Sequence, residues 1–130
     1  MTQKILFLCP HAAAKSVLAA AYFNRLARER GLDFVADAAG TEPDEAVSPA
    51  VVKLLAGEGI DVSQHKPRRV TELELNSAYR VVSMACSLDD LVIEPKTVEE
   101  WLDVPAPSQD LIGASQVIHA HVEILLNAIT

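Results

Sequence analysis

The chain has 130 residues, half of them apolar and 22% charged, which fits a single domain over residues 1–130 with a packed core and excludes disorder. Its formal net charge of −7 speaks against nonspecific nucleic-acid binding and against docking on an anionic membrane, since both need a basic surface. Two cysteines, Cys9 and Cys86, are too few for a disulfide framework or a zinc site of the C-x2-C type, so a reduced, cytoplasmic setting is expected, with no metal and no cofactor.

Lys4-Ile5-Leu6-Phe7-Leu8 is a short apolar strand, and a helix runs from about Ser16 through Val17, Leu18, Tyr22, Phe23, Leu26 and Ala27, stopped by Gly31. Between them lies Cys9-Pro10-His11-Ala12-Ala13-Ala14-Lys15-Ser16. A cysteine at the end of a strand, followed by a loop that opens a helix, meets converging backbone N–H groups, and that arrangement draws phosphate-like anions. Reading residues 4–23 as a leader is disfavoured, because Pro10, His11, Lys15 and Ser16 interrupt the apolar stretch. Lys15-Ser16 also ends like a nucleotide-binding Walker loop, but Cys9 and Ala14 stand where that loop needs glycine.

Asp33–Ala38 reads as a second strand ending at Gly40. A helix follows over Ser48–Glu58, with Ser48 as N-cap, Pro49 in the first turn and Val51, Val52, Leu54 and Leu55 on its buried face. Residues 63–69 form a polar connection whose Lys66–Arg69 cluster is a solvated face or a weak attractor of phosphate. Val70–Asn76 is a short helix with Thr71 near its start, and Arg80–Ala85 is a third strand apolar enough for burial on both faces. Val98–Val104 is a fourth strand, in which Trp101 is a packing residue. Gln109–Ala128 is a closing helix with Leu111, Ile112, Val117, Ile118, Val122, Leu125 and Leu126 on its apolar side. Strands alternating with helices imply an α/β fold, a four-stranded parallel sheet flanked by helices, with a ligand site at the carboxyl ends of its strands.

With Cys9 and Ser16 so placed, the chain resembles the low-molecular-weight protein tyrosine phosphatases and their arsenate-reductase relatives, whose motif is cysteine, five residues, arginine, then serine or threonine after the first strand. The likeness extends in order through Ala39–Pro43, Gly59–Ser63 with His65 and Pro67, Val82–Met84 with Cys86, and Trp101–Pro107. It implies a flavodoxin-like phosphatase fold in which Cys9 is a thiolate nucleophile, Ser16 hydrogen-bonds the sulfur, and Pro10, His11, Ala12, Ala13 and Ala14 cradle phosphate or a similar oxyanion. His11 either touches that anion or faces solvent.

The departures from the family pattern are specific. Lys15 replaces the arginine, keeping the charge without the planar fork, an exchange that costs the transition state a few kcal/mol, on the order of one preorganised donor. Ala12 and Ala14 replace residues that tolerate positive φ, predicting strain or a changed loop. Ala106 sits at the acid position between Pro105 and Pro107, which leaves Asp103 as the candidate acid and Asp110 as a poorer one at the start of the last helix. Cys86 matches a resolving cysteine, but residues 87–95 hold no further cysteine to complete a relay. The implied function is a hydrolase acting through a cysteinyl-phosphate intermediate with impaired turnover. The alternatives are a noncatalytic oxyanion-binding protein or an arsenate-reductase-like redox protein in which Cys9 and Cys86 form a disulfide. His65, His119 and His121 show no metal or base pattern and read as surface or packing residues, and no protein partner is indicated.

Overall fold

A computed structural model describes residues 2–88, 91 and 98–130. The chain runs β1 (Gln3–Leu8), α1 (Lys15–Glu29), β2 (Phe34–Ala39), α2 (Pro49–Gly57), α3 (Glu72–Ser77), β3 (Arg80–Ser83), β4 (Val98–Glu100) and α4 (Leu111–Ile129). The four strands lie in the order β2-β1-β3-β4, and every neighbouring pair is parallel. From β1 the chain winds first to one side and later to the other, so the carboxyl end of β1 is the switch point where such sheets take their ligands.

Burial explains the purely apolar first strand. Ile5 and Phe7 pack into one core with Val51 and Leu55 of α2, Phe23 of α1, and Ile118 and Leu126 of α4. Leu6 and Leu8 point the other way, onto Val70, Leu75 of α3, Val81 and Cys86. With both faces covered there is no polar alternation along β1.

Several boundaries move from the sequence reading, each for a local reason. β3 ends at Ser83 rather than Ala85, because the Ser83 hydroxyl accepts from the Cys86 N–H and donates to its carbonyl, turning the chain away while Ala85 takes φ +62°. β4 stops at Glu100 rather than Val104, since Ser83↔Glu100 is the last register pair that β3 can offer. The short helix begins at Glu72 rather than Val70, as the Val70 N–H bonds the Gly40 carbonyl and Thr71 caps the helix by accepting from the Glu74 N–H at 3.2 Å. The last helix starts later than Gln109 because Asp110 is its N-cap, accepting from the Gly113 N–H at 2.9 Å. Ile112, expected on the apolar side, is 55% exposed, and Val52 and Leu54 are only half-buried.

The basic cluster after α2 keeps Lys66 and Arg69 exposed, as a solvated face would, but Arg68 is taken up by carboxylates. Arg68 donates to Glu74 Oε1 at 2.6 Å and to Asp37 Oδ2 at 2.7 Å, tying α3 to β2, and Arg69 donates to the Thr41 carbonyl at 2.8 Å. The Arg68 hydrogen bond holds the Glu74 carboxyl below the usual glutamate range. A carboxyl lowered in this way stabilises the fold above its unfolded-state value, and the contribution is lost as pH falls toward the folded-state value. Glu74→Gln is therefore expected to cost about 1.5 kcal/mol near neutrality. In urea titrations that difference should shrink on acidification, and a difference independent of pH contradicts the assignment.

Candidate active site at the carboxyl end of β1

Cys9 extends β1 by one residue, its N–H donating to the Ala39 carbonyl at 3.3 Å, and it is 5% exposed. The loop then turns back on itself, with the Ala12 N–H reaching the Cys9 carbonyl at 3.3 Å. The segment between β2 and α2 fixes its outer side through three backbone bonds: Glu42 N–H to the Pro10 carbonyl at 2.8 Å, Asp44 N–H to His11 at 2.9 Å and Ser48 N–H to Ala13 at 2.9 Å. Those three bonds satisfy the carbonyls of Pro10, His11 and Ala13 and fix the course of the loop. Ser48 serves this clamp with its backbone, and although it precedes α2 its side chain makes no cap bond there.

The start of α1 completes the cradle. No side chain caps this helix and its first turn carries no acid, so its leading N–H groups keep their positive character. One is spent on the cysteine: Ser16 N–H points at Sγ from 3.4 Å, and the fully buried Ser16 hydroxyl lies 3.1 Å from the same sulfur. When the sulfur is ionised, both groups can donate to it.

Two alanines were expected to strain this loop, and one does. Ala12 sits at φ +52°, left-handed backbone that costs a non-glycine residue about 1–2 kcal/mol. The flanking clamp bonds and the complete burial of its methyl group offset that cost. Ala14 has φ −139°, a negative value with no need for glycine. Gly40 is the position where a side chain is forbidden. A Cβ there would lie 2.4 Å from the Cys9 carbonyl oxygen and 2.6 Å from that of Pro10.

Above the sulfur opens a cavity of about 650 Å³. Of the residues singled out in the sequence, Cys9, Pro10, His11, Ala13, Ala14 and Lys15 line it, with Ala12 and Ser16 buried in the loop and helix behind. Asp103 is not brought there. Its carboxylate is held by His121 Nε2 at 2.8 and 3.0 Å, beside the ring that stacks on buried Trp101 at 4.7 Å. That hydrogen bond keeps Asp103 below the usual carboxylate range, the reverse of what a proton donor needs. Cys86 packs on the opposite face of the sheet, its sulfur 3.6 Å from the Thr41 hydroxyl. It borders a neighbouring cavity that shares Ala85 with the first. Both cysteines are free.

The sequence reading missed Asp44, Ser48, Gln109 and Leu111, which also line the cavity. Asp44 was findable. It follows closely on the Ala39–Pro43 segment at the end of β2, and loops after strands adjoining the switch point face the ligand. Gln109 and Leu111 were read only as parts of a helix. Among the described residues no cluster of side chains could hold a metal ion, and no helix is long and apolar enough to cross a membrane.

A doubly wound parallel sheet whose switch point carries a buried cysteine at the head of a loop and helix defines a class of α/β proteins with a cysteine at the usual ligand position. The chain belongs to the low-molecular-weight phosphatase family: the model described as "Low molecular weight phosphotyrosine protein phosphatase" matches residues 4–104. The chain is 35% identical over 107 residues to the "Putative arsenate reductase" of Halobacterium salinarum, covering 80% of this chain and 75% of that protein. The structure of an arsenate reductase from Archaeoglobus fulgidus is similar at 31% identity with a TM-score of 0.69, over 96% of this chain and 97% of that one. A thioredoxin-dependent arsenate reductase of Corynebacterium glutamicum shares the fold at a TM-score of 0.81 and 24% identity. The match covers 98% of this chain, which spans 62% of that longer protein.

The close approach at Gly40 makes the site sensitive to one methyl group. Gly40→Ala should cost about 2–3 kcal/mol in denaturant titrations, because the atoms it meets are backbone and cannot swing aside. A variant as stable as the wild type contradicts the packing described.

Proposed function

We propose that this protein is a phosphatase-family hydrolase in which Cys9 Sγ attacks a phosphoryl group and water then resolves the cysteinyl-phosphate. The observation that carries this reading is the placement of a buried sulfur under the first turn of α1, with the Ser16 N–H directed at it and the Ser16 hydroxyl oxygen 3.1 Å away, accepting from the thiol. In the first step an S–P bond forms as the bond to the leaving oxygen breaks; in the second, water oxygen bonds to phosphorus and Sγ departs. Lys15, which lines the cavity, opposes the charge of the transferring group together with the loop amides. A point charge matches equatorial oxygens less well than a guanidinium fork, so turnover is slow. A cytoplasmic, reducing setting suits a site that depends on a free thiol.

A second reading has its own support, the 35% identity to a protein named as an arsenate reductase and the presence of a second free thiol, Cys86, on a cavity that shares Ala85 with that of Cys9. Arsenate bonded to Sγ leaves as arsenite when a second thiol, from Cys86 or an external dithiol, attacks Sγ. The two thiols then supply the two electrons and end as a disulfide. Arsenate-dependent appearance of a Cys9–Cys86 bond in nonreducing mass spectrometry favours this route over simple hydrolysis.

The hydrolytic reading predicts measurable release of p-nitrophenolate from p-nitrophenyl phosphate, its loss in Cys9→Ser, and a rise on the order of tenfold or more in Lys15→Arg. Turnover that survives Cys9→Ser contradicts it. So does phosphate-induced stabilisation without turnover in both wild type and Lys15→Arg, which marks a protein that only binds the anion.

A further inference from the structure

We propose that His11 is the proton donor and acceptor of the Cys9 site, oriented by the Glu42 carbonyl and the Asp44 carboxylate; the assignment rests on the hydrolytic reading above. Ala106 carries no proton and Asp103 is engaged with His121, so the leaving oxygen must find its proton among the groups that border the cavity. The titratable ones are Cys9, His11, Lys15 and Asp44. Cys9 is the nucleophile and Lys15 the fixed cation. Asp44 is an exposed carboxylate paired with the imidazole, its Oδ1 3.4 Å from His11 Nδ1. That leaves the imidazole.

Its geometry suits the task. His11 Nδ1 lies 3.1 Å from the Glu42 carbonyl oxygen. A carbonyl oxygen only accepts, so Nδ1 carries hydrogen in the neutral ring as well as in the charged one. Nε2 is thereby the atom that gains and loses the proton, and it has no hydrogen-bond partner among the described residues. The backbone is held from the same side, by the Asp44 N–H on the His11 carbonyl at 2.9 Å. Ring and main chain are thus fixed by one segment, with a carboxylate placed to balance an imidazolium.

The proton count closes over the cycle. As Sγ bonds to phosphorus, the Nε2 proton passes to the departing oxygen and the ring becomes neutral. When water attacks the cysteinyl-phosphate, neutral Nε2 takes a proton from it, Sγ leaves as thiolate, and the starting state returns. The charged groups bordering the cavity with His11 are Asp44 from the β2–α2 segment and Cys9 and Lys15 from the loop and α1. The stretch leading into α4 contributes Pro107, Ser108 and Gln109, none of them titratable.

The test is a leaving-group series measured on wild type, His11→Asn and Asp44→Asn. Asparagine at position 11 retains an N–H for the Glu42 carbonyl, and thermal melting checks that the loop survives. His11→Asn should lower kcat on the order of 100-fold for an alkyl phosphate, which needs its leaving oxygen protonated, and only a few-fold for p-nitrophenyl phosphate. With the alkyl substrate, wild-type kcat should fall as rising pH removes the imidazolium. That limb should vanish in His11→Asn and persist at lower kcat in Asp44→Asn, where Nδ1 keeps only the Glu42 carbonyl to orient the ring. Equal losses across leaving groups, or a pH limb that persists without His11, overturn the assignment while Cys9-dependent turnover keeps the hydrolytic reading intact. No Cys9-dependent turnover in the wild type overturns both.

Discussion

The site depends on a backbone clamp. Three N–H groups, from Glu42, Asp44 and Ser48, engage the carbonyls of Pro10, His11 and Ala13 and hold the loop after β1 in place. The clamp works because β2 lies beside β1 in parallel register, Leu8 opposite Ala39, so both strands deliver their following loops to the same end of the sheet. Gly40 lets those loops meet: its missing side chain is the space filled by the Cys9 and Pro10 carbonyls. Arg68 then ties β2 to α3 through Asp37 and Glu74, bracing the strand that carries the clamp.

This arrangement explains how the loop holds an unusual backbone conformation. Ala12 is left-handed without being glycine or asparagine, and the cost of about 1–2 kcal/mol is tolerable when neighbouring carbonyls are pinned and the methyl is buried. Ala85, the other non-glycine residue with positive φ among the described ones, lines the same cavity at the end of β3. The unusual backbone thus gathers around the sulfur. Elsewhere the chain uses ordinary means: a Thr71 cap, an Asp110 cap, and apolar faces on α1, α2 and α4 stacked over Ile5 and Phe7.

Much of this was readable from residue order. The apolar strand, the cysteine loop and the helix behind it come directly from Lys4–Ala27, and the parallel sheet follows from the alternation of strands and helices. Trp101, read as packing, is buried between Phe7 and His121. What escaped the sequence were choices made by long-range partners. Asp103 is three positions from Ala106, but nothing in that spacing reveals that His121, on the last helix, takes its carboxylate. Asp44 carried one signal, its closeness to the end of β2, but its reach to the cavity is set by the pairing between β1 and β2. Strand ends failed for the same reason: β4 stops where β3 stops offering partners. The position of Cys86 on the other face of the sheet depends on the turn closed by Ser83, a side-chain bond without a sequence signature.

The central claim is that Cys9 Sγ is the atom that bonds to the transferring group. Rapid acid quench of the wild type with p-nitrophenyl phosphate, followed by peptide mass spectrometry, tests it most directly. A phosphoryl mass confined to the peptide that carries Cys9, absent in Cys9→Ser and with Cys86 unmodified, is the expected result. Turnover without any Cys9 adduct under quench conditions that preserve an S–P bond, or an adduct on another residue, contradicts the account.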